Sequence, residues 1–325
     1  MLGAILALSS AAFFGLNNAT VRRGVLKSTV LQGMAITVPL GLPIFAGFAF
    51  FLDGFEAMRG WPMSAWVWMM LAGVVHFVIG RYGNYRATQA LGATLSTPIQ
   101  QLSILVSLVL AFLFLDETVN LMNLFGIALI MGGPMLVVGR RKNALKAGKA
   151  KGFRPDFGPG LFWGAVCALG YGTSPLLISL GLGAAPKPAD GIGGVFLSYV
   201  AATVVVALCV FAAGGRSYMR SLDRGSGGWF LISAICVALS QLFRYLALTV
   251  APVSVVVPVQ RLSVVFRIVF GALINRDHEV FDTWIIVSIL LAIAGAAALT
   301  LDTEFLLEIF HVPAATRLLL SSPLF

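Results

Sequence analysis

The sequence predicts an all-α integral membrane protein in which ten transmembrane helices form two inverted repeats of five. Of its 325 residues, 59% are hydrophobic and 11% are charged, whereas ordinary soluble domains are about 45–50% apolar and about 25% charged. A soluble domain of this length could not bury so much apolar surface in one core, so most of it must face lipid. Ten apolar runs and a set of residues that recurs in both halves complete the prediction.

Each predicted span is a run of roughly 20 mostly apolar residues, the length that crosses a bilayer as a helix. Turns at Gly92 and Pro252 separate the third span from the fourth and the eighth from the ninth. The first run lacks a basic leader and a cleavage site, so it is interpreted as a retained span. The spans are expected at 2–21, 29–52, 64–87, 94–115, 119–139, 158–181, 191–213, 228–249, 253–274 and 281–301.

A basic linker at 140–157 separates the first repeat (1–139) from the second (158–301), and a tail follows at 302–325. The tail is too interrupted to span and is expected as an interfacial helix or a loose end. Most Lys and Arg residues outside the spans lie in the odd-numbered loops, which include the linker. The positive-inside rule therefore predicts a cytoplasmic linker with both termini outside.

The excess of basic residues, 22 Lys and Arg against 13 Asp and Glu, does not indicate a nucleic-acid partner. These charges lie in loops and at helix ends and not on a polar domain with aromatic stacking partners. The three cysteines, Cys167, Cys209 and Cys236, lie far apart inside apolar runs. Neither a metal site nor a disulfide framework is therefore expected.

The two halves share residues in the same order. Residues 98–103 (Pro-Ile-Gln-Gln-Leu-Ser) and 258–263 (Pro-Val-Gln-Arg-Leu-Ser) lie 160 positions apart and agree at four of six. At the same offset Tyr85 matches Tyr245. Further along, an acid follows the fourth span of each half, Glu117 in the first and Glu279 in the second. Duplication of five spans inverts the second copy, and such inverted repeats are common in secondary transporters, whose substrate site lies between the halves.

Each half also carries an aromatic residue followed by glycine in its first span, Phe14-Gly15 and Tyr171-Gly172. With the five-plus-five pattern and the two acids, residues 2–301 resemble the EamA-type transporters of the drug/metabolite transporter superfamily. The resemblance implies transport of small metabolites through a central cavity lined by the first, third and fourth helices of each half. It does not name a substrate, and it implies termini inside, opposite to the charge bias.

Polar residues inside the spans mark the candidate substrate site. All 13 acids lie in loops or at helix ends, whereas four arginines lie within spans. An arginine near a helix centre costs about 2.5–3.5 kcal/mol and usually faces a bundle interior or a watery cavity. At the repeat offset Gln101 matches Arg261, Asn84 matches Arg244, and each position is polar in both halves. The candidate substrate-binding residues are Arg261, Gln101, Gln260, Gln100, Arg267, Gln241, Arg244, Arg81, Tyr85, Tyr245 and Asn17, with His76 as a candidate coupling residue.

Structural alternatives apply to each candidate. Arg261 and Gln101 could form interhelical hydrogen bonds, and Arg81 and Arg244 could extend to the membrane interface. The two tyrosines could anchor helix ends. His76 could titrate near neutral pH or simply be hydrogen-bonded.

The sequence favours a secondary transporter of a small polar metabolite, anionic or zwitterionic, in a cell membrane and most simply the bacterial cytoplasmic membrane. The expected partners are this substrate and the bilayer, with a homodimer possible. An enzyme, a cofactor and a metal are not expected, because the chain lacks a nucleotide-binding loop, an H-E-x-x-H motif and paired intramembrane carboxylates. The alternatives are an organic-cation exporter, which the intramembrane arginines oppose, and a non-transporting partner subunit.

Overall fold

The computed structural model describes residues 1–116, 120–146 and 156–274, together with isolated helical positions between 287 and 298. Every regular element in this part of the chain is a helix, and the described residues form no strand. The helices are α1 (Leu2–Gly24), α2 (Val30–Thr37), α3 (Gly41–Phe51), α4 (Gly54–Arg59), α5 (Met63–Gly73), α6 (Arg81–Gln101), α7 (Ser103–Leu115), α8 (Leu121–Lys146), α9 (Phe157–Leu182), α10 (Pro188–Ala212), α11 (Gly215–Arg220), α12 (Arg224–Leu248), α13 (Val253–Gln260) and α14 (Ser263–Ile274).

Seven described segments are long and apolar enough to cross a membrane, and they coincide with the first, second, third, sixth, seventh, eighth and ninth predicted spans. Two shorter apolar helices, Ile99–Leu115 and Leu121–Gly132, lie at the fourth and fifth. The tenth predicted span, 281–301, lies outside the described residues apart from isolated positions, as do Glu117, Glu279 and the tail.

Several predicted spans are not single straight helices. The second consists of α2 and α3, because Pro39 has no N–H to continue the hydrogen-bond ladder and the chain forms a turn there. In the third, a π-helical segment (Val74–Gly80) joins α5 to α6. α8 continues to Lys146, past the predicted end at 139, since Ala, Leu, Lys and Arg are strong helix formers.

α6 bends back sharply along its length. A Cβ atom added to Gly83 would lie 2.8 Å from Cys167 N, and one added to Gly164 would lie 2.8 Å from a methyl carbon of Ile99. Gly83 and Ile99 therefore contact α9 only three residues apart, although 16 residues of straight helix would separate them by about 24 Å. The bend lies between these two positions, where the sequence predicts a turn at Gly92.

The two repeated motifs contain matching helix breaks. α6 ends at Gln101 and α7 begins at Ser103, while α13 ends at Gln260 and α14 begins at Ser263. A proline stands three positions before the end of α6 and two before that of α13, and proline removes one backbone donor from a helix. The polar residues at these two breaks come from the fourth predicted span of the first half and the ninth of the chain.

The first helix of each half packs on the other half. α1 packs mainly against α12 and α14, and α9 mainly against α6 and α7. A Cβ atom on Gly3 would lie 2.3 Å from Ala251 Cβ, and one on Gly160 would lie 2.3 Å from Leu91 Cγ. Glycine at such positions lets helix backbones approach closely inside a membrane.

A second pair of close approaches involves the glycines of the aromatic–glycine pairs. A Cβ atom on Gly15 would lie 2.5 Å from Phe266 Cβ, and one on Gly172 would lie 2.5 Å from Val106 Cβ. The four partners on the opposite half keep the 160-residue offset: Leu91 matches Ala251, and Val106 matches Phe266. These contacts hold α1 and α9 against the helices that carry the polar residues.

Candidate functional site

All twelve predicted site residues are buried in the protein, with no more than 8% of any side chain exposed. Arg81 and Arg244 are 2% and 1% exposed. The alternative that these two extend to the membrane interface is wrong, because neighbouring helices enclose both guanidinium groups. Tyr85 and Tyr245 are likewise enclosed, at 1% and 0%, so neither anchors a helix end at the interface.

Arg244 of α12 lies at the centre of the buried polar residues. Its Nη1 lies 2.9 Å from His76 Nδ1 and 3.1 Å from His76 Nε2. Nη1 also donates to Gln241 Oε1 at 3.2 Å, one turn earlier on the same helix, and Nη2 donates to Ser174 Oγ of α9 at 2.9 Å. One guanidinium therefore joins the π-helical segment, α9 and α12.

Tyr171 extends this arrangement. Its ring stacks on His76 with centroids 4.5 Å apart, and the guanidinium carbon of Arg261 lies 5.5 Å from its centroid. Asn84 Nδ2 donates to the Tyr171 hydroxyl at 3.3 Å and to Asn18 Oδ1 at 3.3 Å. We call the connected residues the central cluster: His76, Asn84, Tyr171, Ser174, Gln241, Arg244 and Arg261.

Arg81 borders the central cluster. Its guanidinium lies over the Phe77 ring, 5.1 Å from the centroid, and its Nη2 donates to the Tyr199 hydroxyl at 3.2 Å. Phe77 packs edge-on against His76, with centroids 4.9 Å apart. Aromatic faces attract cations through their quadrupoles, but they carry no negative charge that could neutralise one.

The central cluster is cationic. Among the described residues the one ion pair is the exposed Arg59–Glu56 contact, so no described carboxylate lies within 4.0 Å of Arg81, Arg244 or Arg261. The described residues also contain no group of three or more His, Cys, Asp or Glu placed to hold a metal ion. Burying a charge without a partner of opposite sign costs free energy in a low-dielectric interior. Binding of an anionic molecule would therefore stabilise these guanidinium groups.

Hydrogen-bond donors are in surplus here. Among the predicted site residues other than Arg267, six buried nitrogens have no partner within the described structure, and all six are donors: Arg81 Nη1, Arg244 Nε, Arg261 Nε, Gln241 Nε2, Gln100 Nε2 and Gln101 Nε2. Two atoms of this region that can accept a hydrogen bond, Asn84 Oδ1 and the Tyr85 hydroxyl, are also buried without a partner in the described structure. A buried donor without a partner costs about 1–3 kcal/mol, so a bound molecule rich in acceptors would relieve several such costs at once.

Other predicted residues form bonds between helices. Gln260 Nε2 donates to Ser10 Oγ at 2.8 Å, which ties α13 to α1. Tyr245 donates to Ser198 Oγ at 2.8 Å, and Ser233 donates to Asn17 Oδ1 at 2.6 Å. Arg267 Nη2 donates to Thr88 Oγ1 at 3.4 Å. These four therefore have structural partners, and a binding role for them stays a prediction.

Sequence reasoning did not include Tyr171 or Ser174 among the site residues. Tyr171 stood out only as part of the aromatic–glycine pair, and Asn84 only as the counterpart of Arg244. Ser174 follows Tyr171 by three positions and so lies on the same face of α9. Considering the residues on that face of α9 together would have identified both Tyr171 and Ser174.

Comparison with known proteins identifies the first half of the chain. Residues 1–139 match the EamA-like transporter family. This half is therefore similar to the EamA-like domain. It contains His76, Arg81, Asn84, Gln100 and Gln101, so it supplies one side of the polar region described above. The apolar helices and the EamA-like domain together make the chain a multi-pass membrane protein.

The chain is also similar to a curated relative, "Probable magnesium transporter NIPA2" of Arabidopsis thaliana. The two are 28% identical over 136 residues, which is 42% of this chain and 34% of the relative. The chain thus spans about a third of the length of that relative.

A solved crystal structure shares the fold. It superposes with a TM-score of 0.61 over 92% of this chain and 96% of its own, at 16% sequence identity. The agreement extends well past the EamA-like domain, so both halves of the chain belong to one known helical architecture.

Proposed function

We propose that the chain is a secondary transporter that carries a small anionic or zwitterionic metabolite, bound at the central cluster, across a bacterial cytoplasmic membrane. The observation that supports this proposal is the surplus of buried hydrogen-bond donors around guanidinium groups that form no ion pair with a described carboxylate. A carboxylate or phosphate accepts several hydrogen bonds, and the planar fork of arginine can bind two of its oxygens at once.

A zwitterion would find both of its charges matched. Its carboxylate would meet the free donors of Arg244 and Arg261, and its ammonium group would meet Asn84 Oδ1, the buried acceptor without a described partner. Since Asn84 Nδ2 already donates to Tyr171 and Asn18, the assignment of its oxygen is supported by this network.

Transport by alternating access between two inverted five-helix repeats is part of the proposal. The exchanged packing supports it, because Gly3 on Ala251 repeats as Gly160 on Leu91. In an inverted repeat, the first helix of each copy meets equivalent positions of the other copy, which is the relation these pairs have. Rocking of one repeat against the other around a fixed site is the mechanism that such folds use.

Contacts at the ends of the helices support the same relation. At one, Gln32 Nε2 donates to Ser221 Oγ at 2.9 Å. At the other, Trp61 Nε1 donates to Asp190 Oδ1 at 2.8 Å. Gln32 and Asp190 are both the third residue of a helix, and each side chain accepts a hydrogen bond from the backbone N–H of the residue that caps that helix. We call these pairs the two latches, and rocking would open one while the other stays closed.

Magnesium transport is the second candidate, and the name of the curated relative is the observation that favours it. The central cluster opposes it. Mg²⁺ takes oxygen ligands, with one or two carboxylates as a rule, whereas this region presents cationic guanidinium groups. An organic-cation exporter meets the same objection, and a partner subunit predicts no flux from this chain alone.

The test is uptake into vesicles reconstituted with the purified protein. The probes are a monocarboxylate, a phosphate monoester, a neutral amino acid, an organic cation and Mg²⁺. We expect flux of the first three classes only, at least one of them saturable. Faster flux of Mg²⁺ or of the organic cation than of any anion or zwitterion, or no flux of any probe, would refute the proposal.

Variants at Arg261 locate the site. Arg261→Lys keeps the charge but loses the fork, so uptake should fall about tenfold, which corresponds to about 1.4 kcal/mol. Arg261→Gln should nearly abolish uptake. The matched control is Arg59→Gln, which removes an exposed guanidinium far from the cluster and should transport normally. Normal uptake by folded Arg261→Gln, judged by size-exclusion profile and melting temperature, would exclude this arginine.

A further inference from the structure

His76 occupies an unusual stretch of helix. It lies in the π-helical segment Val74–Gly80, in the middle of the third predicted span. π-helical turns are rare and frequently coincide with functional sites. Helix contacts on both sides fix this one: a Cβ atom on Gly73 would lie 2.1 Å from Ser198 O, and one on Gly80 would lie 2.6 Å from the Tyr171 ring. The backbone around His76 is thus held in place.

The contact between His76 and Arg244 favours the neutral form of the imidazole. A guanidinium has only donors, and Arg244 Nη1 lies 2.9 Å from Nδ1 and 3.1 Å from Nε2. Nη1 is nearly equidistant from the two ring nitrogens and therefore lies over the imidazole face. A second proton on the ring would place two cations in contact, so this arrangement favours the neutral imidazole.

The surroundings of His76 offer no described negative charge. The charged groups acting on it are Arg244 of α12, Arg81 of α6 and Arg261 next to α14, all cationic. The titratable group stacked on it is the Tyr171 phenol of α9, and the Phe77 ring packs edge-on against it. Protonation of His76 therefore requires that something first neutralise the guanidinium groups.

We propose that the transported anion and a proton bind together, the anion to Arg244 and the proton to His76. An anion on Arg244 withdraws the Nη1 donor from the imidazole and supplies the missing negative charge. The unprotonated ring nitrogen of the imidazole then takes a proton from solution. One monoanion and one proton cross together, so the net charge moved is zero and an acid outside drives accumulation inside.

This inference rests on the proposed function, and the two fail differently. The probes are lactate and methanesulfonate, which stay monoanionic between about pH 5.5 and 8, so any pH dependence belongs to the protein. In the pH range where His76 gains its proton only when an anion binds, each pH unit of acidification should raise the apparent affinity for each probe about tenfold. The reason is that one proton is taken up with each anion. Uptake should acidify the vesicle lumen and be insensitive to membrane potential.

Variants separate coupling from binding. His76→Gln should remove the pH dependence of lactate binding and the proton flux that accompanies uptake. Ser174→Ala removes another partner of Arg244 and should weaken binding while keeping the tenfold slope. The chain has three histidines, so His278→Gln and His311→Gln are the matched controls and should keep the slope too. If His76→Gln does not fold, proton uptake measured calorimetrically on the wild-type protein in two buffers carries the test.

The experiment has three distinguishable outcomes. Flux of either probe with about one proton per anion, lost in His76→Gln, supports the inference. Flux with no proton uptake, or with coupling retained in His76→Gln, overturns it and leaves the proposed function standing. If neither probe binds or moves, the anion site is wrong and this inference falls with it.

Discussion

Gly172 provides a sharp test of how α9 is packed. An alanine Cβ at this position would lie 2.5 Å from Val106 Cβ, 2.7 Å from Val106 Cγ1 and 2.9 Å from Ser103 O. Ordinary carbon contacts are near 3.5–4.0 Å, so the helices would have to separate by roughly 1 Å. The carbonyl oxygen is backbone and cannot move aside as a side chain would. Overpacking of this kind costs about 1–3 kcal/mol.

The assay is thermal unfolding in detergent, with lactate binding measured on the same preparations. Gly172→Ala should lower the melting temperature by several degrees, since each kcal/mol is worth about 2–4 °C in a protein of comparable size. Gly158→Ala is the control on the same helix, because nothing lies within 4 Å of its added Cβ. That variant should be neutral or slightly stabilising, as alanine has the higher helix propensity.

Binding should fall along with stability in the Gly172 variant. Tyr171 is the preceding residue, and it stacks on His76 while lying beneath Arg261. A shift of α9 away from α7 therefore moves the ring on which the central cluster depends. Equal melting temperatures for the two alanine variants would refute the packing argument, and unchanged lactate binding in Gly172→Ala would refute the link to the site.

Three further predictions follow from the ends of the spans. Single cysteines at Lys146 and Ser322, on a cysteine-free background, should be labelled by an impermeant reagent at Ser322 and not at Lys146 in intact cells; the reverse would overturn the orientation given by charge bias. Cross-linking cysteines at Gln32 and Ser221 should stop transport with binding intact, and full activity would count against rocking. Asp223 caps α12 and accepts from Ser226 N at 2.8 Å, which holds its pKa below 3.8. Because the folded-state pKa is lowered, its stabilisation is present above the unfolded value and is lost as pH falls through the folded one, so Asp223→Asn should flatten the acid side of a melting-temperature profile; an unchanged profile would refute this.

Most of the fold follows from patterns that the bilayer imposes. Length and apolarity decide the spans, and seven of the ten predicted ones coincide with described helices of spanning length. Burial of the candidate residues also follows, because an arginine inside a span must turn toward protein or water. The repeat offset paired Asn84 with Arg244, although Asn84 was not among the candidate residues.

The details that build the central cluster do not follow from such patterns. The π-helical segment around His76 depends on contacts from α9 and α10, and no local sequence preference predicts it. Tyr171 carries a side chain that is as common in helix cores as in binding sites. Its role emerges only when α9 places it between His76 and Arg261.

The partners of Arg244 weigh against a purely structural role for this residue. A neutral amide at this position could bond to Ser174 and Gln241 without placing a charge in the membrane, where insertion of an arginine costs about 2.5–3.5 kcal/mol. The arginine instead faces an imidazole that must stay neutral to receive it, and it keeps a buried Nε donor without a described partner. Charge, free donor and a titratable neighbour are superfluous in a helix-packing contact. All three would be used in the proposed joint binding of an anion and a proton.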